Sequence, residues 1–193
     1  PELSQDLIQS VDRMVHLVEQ MLLLNRVDSG IDFAPTQTNL SAILEQSVAD
    51  VAPLALKKQI EPVLEDNTHQ AMVQCHSALI NTLMRSLLAN AIQYSPRNTV
   101  ITTHLIAEGD GYSISVCDQG PGIDAGERER ALSRFVRLDQ RQGGGAGLGL
   151  AIARRIAELH GGHLILSDRP DGCSGLCVRV WLPIKYRCEH SRH

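Results

Sequence analysis

Residues 143–153 read GGGAGLGLAIA, and the fold turns on how this run is read. Four of its first five residues are glycine, and a helical pattern starts at once. Glycine lacks Cβ, so a ligand can approach the backbone closely and φ can be positive. A helix beginning near Gly147 offers free N–H groups and the positive end of a dipole, which together suit phosphate. By itself the run is also compatible with a flexible turn. Two familiar phosphate loops do not fit it. A Walker A loop needs Lys and then Ser or Thr after its last glycine, whereas Leu148 and Leu150 flank Gly149. A dinucleotide fingerprint needs glycines at i, i+2 and i+5 just after a strand. No register here supplies that, and the preceding RLDQRQ is polar.

Two segments further upstream add to the picture. In residues 85–96, RSLLANAIQYSP, an apolar helical row of Leu79, Leu83, Leu87 and Ala91 would face a core. Ser86, Asn90, Gln93 and Tyr94 fall on another face. An Asn between two alanines on such a helix needs a partner, because an unsatisfied buried amide is costly. A neighbouring loop would serve as well as a ligand. In residues 112–123, YSISVCDQGPGI, Tyr112, Ile114 and Val116 alternate with Ser113, Ser115 and Cys117, the period of a strand. Asp118 and Gly120-Pro121-Gly122 close it, which taken alone reads as a plain turn.

Taken together and in this order, the three segments resemble the N, G1 and G2 boxes of histidine kinase catalytic domains. These belong to the ATPase superfamily shared with Hsp90, gyrase B and MutL. Between the G boxes, SRFVRLDQRQ looks like the family's F box, with Phe135, Arg137 and Asp139 in the expected places. The short lid and the FVRLDQR–glycine sequence resemble, more finely, sensors of the polymyxin-resistance type. The resemblance implies ATP and Mg²⁺ as cofactors. It implies that Asp118 reads adenine, with Gly120 and Gly122 shaping the turn and Tyr94 against the base. Asn90 would hold Mg²⁺ through its amide oxygen. Gly145, Gly147 and Gly149, with Leu148 between the last two, would bring N–H groups to the phosphates. Arg137 would reach the γ-phosphate, with Arg134 and Arg141 as weaker candidates.

Two positions depart from the family pattern. Ser86 stands where a second Asn is common, and Gln93 stands where a Lys or Arg often reaches the phosphates. Ser86 also separates branches of the superfamily, because Hsp90, gyrase B, MutL and the serine kinases place a Glu there. That Glu activates a water or hydroxyl, whereas a neutral imidazole already has its lone pair and needs no base. Absence of Glu favours a His acceptor. The alternatives are a Ser/Thr kinase or ATPase of the same superfamily, or a degenerate nucleotide-binding module.

Residues 1–28 differ in kind. Leu7, Val11, Met14, Val18, Met21 and Asn25 form a heptad seam, and Ile8, Val15 and Leu22 widen it as a four-helix bundle needs. One amphipathic helix packed on its own domain would give the same pattern. RMVHLVEQMLLLNRVDSG resembles the second helix of the family's dimerisation and phosphotransfer hairpin. The family's acceptor His is followed by an acidic residue and then a Pro, and none of the eight His here is followed by an acidic residue. His16 lies at an outward heptad position. The expectation is therefore a sequence that begins after the acceptor helix.

The expected domains are 1–28 for that helix, 29–38 for a linker, 39–187 for the catalytic domain and 188–193 for a tail. The expected fold is α/β: a two-layer sandwich of a mixed sheet with helices on one face, of the Bergerat type, preceded by one long bundle helix. Helices are expected over 40–57, 77–94 and 147–160, and a short helix and lid over 124–142. Strands are expected over 60–64, 71–74, 100–106, 112–117, 163–167 and 176–182.

At 193 residues the chain can bury one core. A net charge of −4 gives no footprint for nucleic acid, and no apolar run approaches the roughly 18 residues of a membrane span. Five cysteines with no zinc spacing, of which Cys173 and Cys177 are the only close pair, suggest reduced thiols, with Cys177 a small apolar strand residue. The resemblance implies a homodimer through the dimerisation helices and a response regulator receiver domain as partner. It also implies a cytoplasmic domain of an inner-membrane sensor, held to the membrane only through segments not in this sequence.

Overall fold

The chain enters its sheet-bearing region through a strand the sequence did not announce. Thr36–Asn39 (β1) pairs antiparallel with Met72–Cys75 (β3), Thr36 opposite Cys75 and Asn39 opposite Met72. The expected linker 29–38 is corrected here, since its last three residues belong to β1. Their Thr-Gln-Thr run has no apolar alternation, so nothing in the pattern marked a strand. This computed structural model describes residues 18, 21, 22, 25, 35–68, 70–138 and 147–185. The expected helix 1–28 falls mostly outside them, as do His16 and the tail 188–193. Val18, Met21, Leu22 and Asn25 are helical and exposed.

Asn39 ends β1 and caps the next helix, its side chain accepting the N–H of Ser41 at 3.0 Å. Helix α1 runs Leu40–Lys57 with Pro53 inside it. Ile60–Asp66 (β2) and β3 lead to helix α2, Ser77–Tyr94. The chain continues through Thr99–Glu108 (β4) and Gly111–Cys117 (β5), then a single 3-10 turn, Ala125–Glu127, and helix α3, Arg128–Ala131. Helix α4, Gly149–Leu159, and strands His163–Asp168 (β6) and Leu176–Pro183 (β7) complete it. The helix expected from Gly147 starts two residues later.

Five strands form one sheet in the order β2-β4-β5-β7-β6. Only β2 and β4 are parallel, so the sheet is mixed as expected. Register explains its two faces. Leu105, Ile114, Val180 and Leu164 lie opposite one another across four strands, and all are buried. The next row, with Arg179 and Ile165, is exposed. Helix α2 meets the buried face with Leu79, Ile80, Leu83, Met84, Leu87, Leu88, Ala91 and Ile92. Spacings of three and four residues put them on one side. Each large side chain so buried contributes roughly 1.5–3 kcal/mol. Among the described residues no helix is long and apolar enough to cross a membrane.

The cysteines correct another expectation. Cys177 is bonded to Cys117, its partner across the β5–β7 ladder, so it is not a free apolar residue. The two lie 60 residues apart in sequence, and only the strand pairing brings them together. Cys75 is free and buried, and Cys173 is free and exposed.

The end of α4 is tied to the start of α2 through a buried histidine. His160 Nε2 accepts the backbone N–H of His76 at 3.0 Å. The proton must then sit on Nδ1, which lies 2.7 Å from the Ile156 carbonyl and donates to it. A second proton would face an N–H. Burial holds His160 down at about 4 and lowers His76 as well. The unfolded chain therefore takes up these protons first, and stability falls as pH drops from about 6.5 to about 4. At about 1.4 kcal/mol per pH unit, His160 contributes a loss of roughly 3 kcal/mol across that window. Asp118, which burial pushes up, acts in the opposite sense. Denaturant unfolding of the parent and of His160→Gln at pH 7 and 4.5 isolates the histidine. The variant should lose much less stability on acidification, and equal losses would reject the assignment.

Candidate nucleotide-binding site

Helix α2 presents a second face, as its spacing implied. Ser86, Asn90, Gln93 and Tyr94 are each half-buried, between the core row and solvent. Asn90 meets the N-terminus of α4. A Cβ placed on Gly149 would lie 3.2 Å from Asn90 Nδ2 and 3.3 Å from Oδ1. Only a glycine lets the two helices approach so closely without displacing the amide. Gly149 is the first residue of α4, and among the described residues no side chain caps that end. The first N–H groups of a helix have no partner within it, so they stay available to an anion. Leu148, fully buried, anchors this end from below and its carbonyl takes the Ile152 N–H at 2.8 Å.

Asp118 lies just past the end of β5 and is 6 % exposed. Its Oδ1 accepts the N–H groups of Gly120 at 2.8 Å and Leu176 at 3.2 Å. Its own N–H bonds the Leu176 carbonyl at 2.9 Å. These bonds fix the carboxylate and leave Oδ2 for a ligand. Burial raises its proton affinity, and the two N–H groups and the Arg169 charge work against that. Gly120 packs under the end of α2, where a Cβ would come within 2.9 Å of the Tyr94 carbonyl. Gly122 lies against Gly175, 3.1 Å from its carbonyl oxygen by the same measure. The N-box helix and the Asp118 turn thus share one border.

The described part of the lid meets the start of α4 through Phe135 and Gly147. Gly147 has a φ of +70° and its carbonyl takes the Phe135 N–H at 3.0 Å. Phe135 itself sits at a φ of +63° and is exposed. An aromatic residue in the left-handed region is strained. Arg130, Phe135, Val136 and Arg137 line a cleft there. Arg137 is half-buried and Arg134 is exposed. Gly145, Asp139 and Arg141 lie outside the described residues.

Gln93 does not sit as a solvent-facing stand-in for a lysine. Its Nε2 is buried with no hydrogen-bond partner among the described residues. The nearby cation is Lys58, whose Nζ donates to the carbonyls of Ile92 at 2.8 Å and Gln93 at 2.7 Å. An ammonium there complements the negative end of the helix dipole. Sequence reasoning missed Lys58, Arg169 and Ser174, whose side chains bind backbone carbonyls, and Leu176, whose backbone N–H binds the Asp118 carboxylate; none forms a side-chain motif.

Mg²⁺ fits this donor set as a metal carried mainly by phosphate. Among the described residues no group of three or more His, Cys, Asp or Glu side chains is placed to hold a metal ion. Asn90 could supply one amide oxygen, and Mg²⁺ commonly takes one or two protein ligands with phosphates and waters.

A two-layer sandwich with a buried carboxylate at one strand end and an uncapped helix beside an Asn is a nucleotide-binding arrangement. Residues 75–186 match the histidine kinase-, DNA gyrase B- and HSP90-like ATPase family, and the chain belongs to it. Within that family it is the ATP-binding catalytic domain of sensor histidine kinases. It is 33% identical to the sensor protein BasS of Salmonella typhimurium over 181 residues, 93% of this chain and 49% of that protein. Against the sensor protein PfeS of Pseudomonas aeruginosa it is also 33% identical, over 94% of this chain and 40% of that protein. The chain thus spans about half the length, or less, of these curated relatives. A mycobacterial sensor histidine kinase, MprB, superposes with a TM-score of 0.69 at 25% identity, over 79% of this chain and 99% of that one.

Proposed function

We propose that this chain binds ATP with Mg²⁺ and directs the γ-phosphoryl group to a histidine on a dimerisation helix, for relay to an aspartate of a response regulator. In this reading Asp118 accepts the exocyclic amino group of adenine through Oδ2. A carboxylate there would repel the carbonyl oxygen of guanine. Tyr94 lies against the base, and Gly120 and Gly122 shape the turn beneath it. Asn90 contributes its oxygen to Mg²⁺, which would supply charge neutralisation on the phosphates. Gly147 and Gly149, with Gly145 ahead of them, offer N–H groups to the phosphates. Arg137 stabilises charge on the transferred group. Ser86 provides no base, which suits an imidazole acceptor that needs none.

The observation that carries this reading is the contact of Asn90 with Gly149. It sets the Asn90 amide against an uncapped helix end, on the helix whose Tyr94 end packs over the Asp118–Gly120 turn. The reading divides the chain as the sequence analysis did, with the sheet-bearing domain now starting at β1. It places the full-length protein as a homodimer in an inner membrane, this part in the cytoplasm.

The test uses γ-labelled ATP. The chain should bind ATP with Mg²⁺ and acquire no acid-labile, alkali-stable label, because none of its eight His has the acceptor's acidic neighbour. Adding a separate hairpin carrying such a His should produce label on that hairpin. Label on this chain, lost in His16→Ala, would overturn the absence of an acceptor. No ATP binding at all would overturn the whole reading.

A further inference from the structure

The loop between β6 and β7 converges on one atom, the backbone carbonyl oxygen of Asp118. Arg169 Nη1 donates to it at 3.0 Å. The rest of the guanidinium is gripped by Asp171, through Nε to Oδ1 at 3.0 Å and through Nη2 to Oδ2. Asp171 Oδ1 also takes the Cys173 N–H at 3.1 Å, so the clamp is itself fixed. Gly175, at a φ of +143°, makes room for this contact. A Cβ there would lie 2.0 Å from the same carbonyl oxygen and 2.6 Å from Arg169 Cδ. Ser174 Oγ then donates to the Gly120 carbonyl at 2.9 Å. The loop therefore holds both ends of the Asp118–Gly120 turn. The Arg169 side chain is only 13% exposed and its bond to the Asp118 carbonyl is part-buried, whereas the Asp171 end of the clamp faces solvent.

We propose that Arg169 is a positioning residue for nucleotide recognition: clamped by Asp171, its guanidinium fixes the Asp118 carbonyl and with it the direction of the free Oδ2 that takes the base. This rests on the reading of Asp118 as the base acceptor. A guanidinium donating to a backbone oxygen makes a charge-assisted bond, stronger than a neutral one. A bidentate carboxylate keeps its fork from turning. Its charge also opposes the burial that would protonate Asp118. The ionisable groups bearing on this pair are Asp171 and Cys173 from the same loop. Asp168, at the end of β6, is engaged by Arg128.

Calorimetric titration of ATP and ADP between pH 5 and 8, with thermal unfolding alongside, tests this in the parent, Arg169→Ala, Arg169→Lys and Asp118→Ala. Arg169→Ala should weaken ATP and ADP by the same factor, about tenfold, the size of one lost charge-assisted hydrogen bond. Its binding should also fail at a higher pH on the acid side than the parent's. Arg169→Lys keeps the cation without the fork, and should restore the acid side fully and the affinity in part. A loop that merely stabilised the fold would lower the melting temperature without moving the acid side. Parent-like affinity and pH profile in Arg169→Ala, while Asp118→Ala loses binding, would overturn the role of Arg169. Parent-like binding in Asp118→Ala would instead remove the reading beneath it. Should Arg169→Ala fail to fold, Asp171→Asn releases the clamp with Arg169 in place. An equal loss for both nucleotides then supports the proposal, and no loss rejects it.

Discussion

Asp118→Asn should bind ATP one to two decades more weakly than the parent and lose its discrimination against GTP. The amide keeps the size of the side chain. Its oxygen can still accept the N–H groups of Gly120 and Leu176, which now hold Oδ1. The other position would then carry an NH₂ where the carboxylate offered Oδ2. Two donors would face each other across the adenine amino group, while the guanine carbonyl would find a donor. A hydrogen bond to a charged group is worth about 1.5–3 kcal/mol, or about 10- to 150-fold in affinity. Asp118→Ala should lose ATP to a similar degree, and it also strands two buried N–H groups at about 1–3 kcal/mol each in stability. The Asn variant is therefore the cleaner measurement, with circular dichroism confirming its fold. ATP binding equal to the parent's, with GTP still refused, would mean that the base is read elsewhere.

Asn90→Ala should erase the gain in ATP affinity that Mg²⁺ brings, and Gly149→Ala should do the same without touching Asn90. The second variant follows from the close approach of the helices. A methyl group at Gly149 would sit 3.2 Å from Asn90 Nδ2, tighter than ordinary contact, so the amide must shift by a few tenths of an ångström from the place a metal would need it. Neither change reaches the Asp118 turn, so adenosine should bind as before. We expect ATP with Mg²⁺ to weaken by about tenfold or more, which is about 1.4 kcal/mol. Titrations with Mg²⁺ and with a chelator separate the effects. An undiminished Mg²⁺ dependence in Asn90→Ala would move the metal to other groups. If only Gly149→Ala kept it, the amide would have room to rotate and still serve.

What could be read from the sequence was what periodicity and local chemistry encode. Helix α2 ends where its apolar row predicted, and its half-buried stripe from Ser86 to Tyr94 was visible as a second set of spacings. The glycine run was legible because a helix after glycines has few other uses, although α4 starts at Gly149 and not at Gly147. β1 was hidden because its residues are polar and its strand character comes only from β3. The Cys117–Cys177 bond was hidden because spacing along the chain says nothing of partners 60 residues apart. The CSGLC stretch drew attention to the wrong pair, Cys173 with Cys177. Arg169 was invisible for a different reason. It recognises a carbonyl, which every residue carries, and so leaves no mark in side-chain type at its target.

β1 also decides how force enters this domain. Thr36–Asn39 is held to β3 along a four-residue ladder, so a shift of this strand is passed to its partner. Leu40, just past it, is stapled by its N–H to the Ala71 carbonyl at 2.8 Å. The partner strand β3 runs through His76 straight into α2, the helix that carries Asn90. Sliding a strand by one residue turns every side chain to the opposite face, so β1 and β3 keep one register. A shift of β1 would therefore be handed through β3 to the helix that carries Asn90.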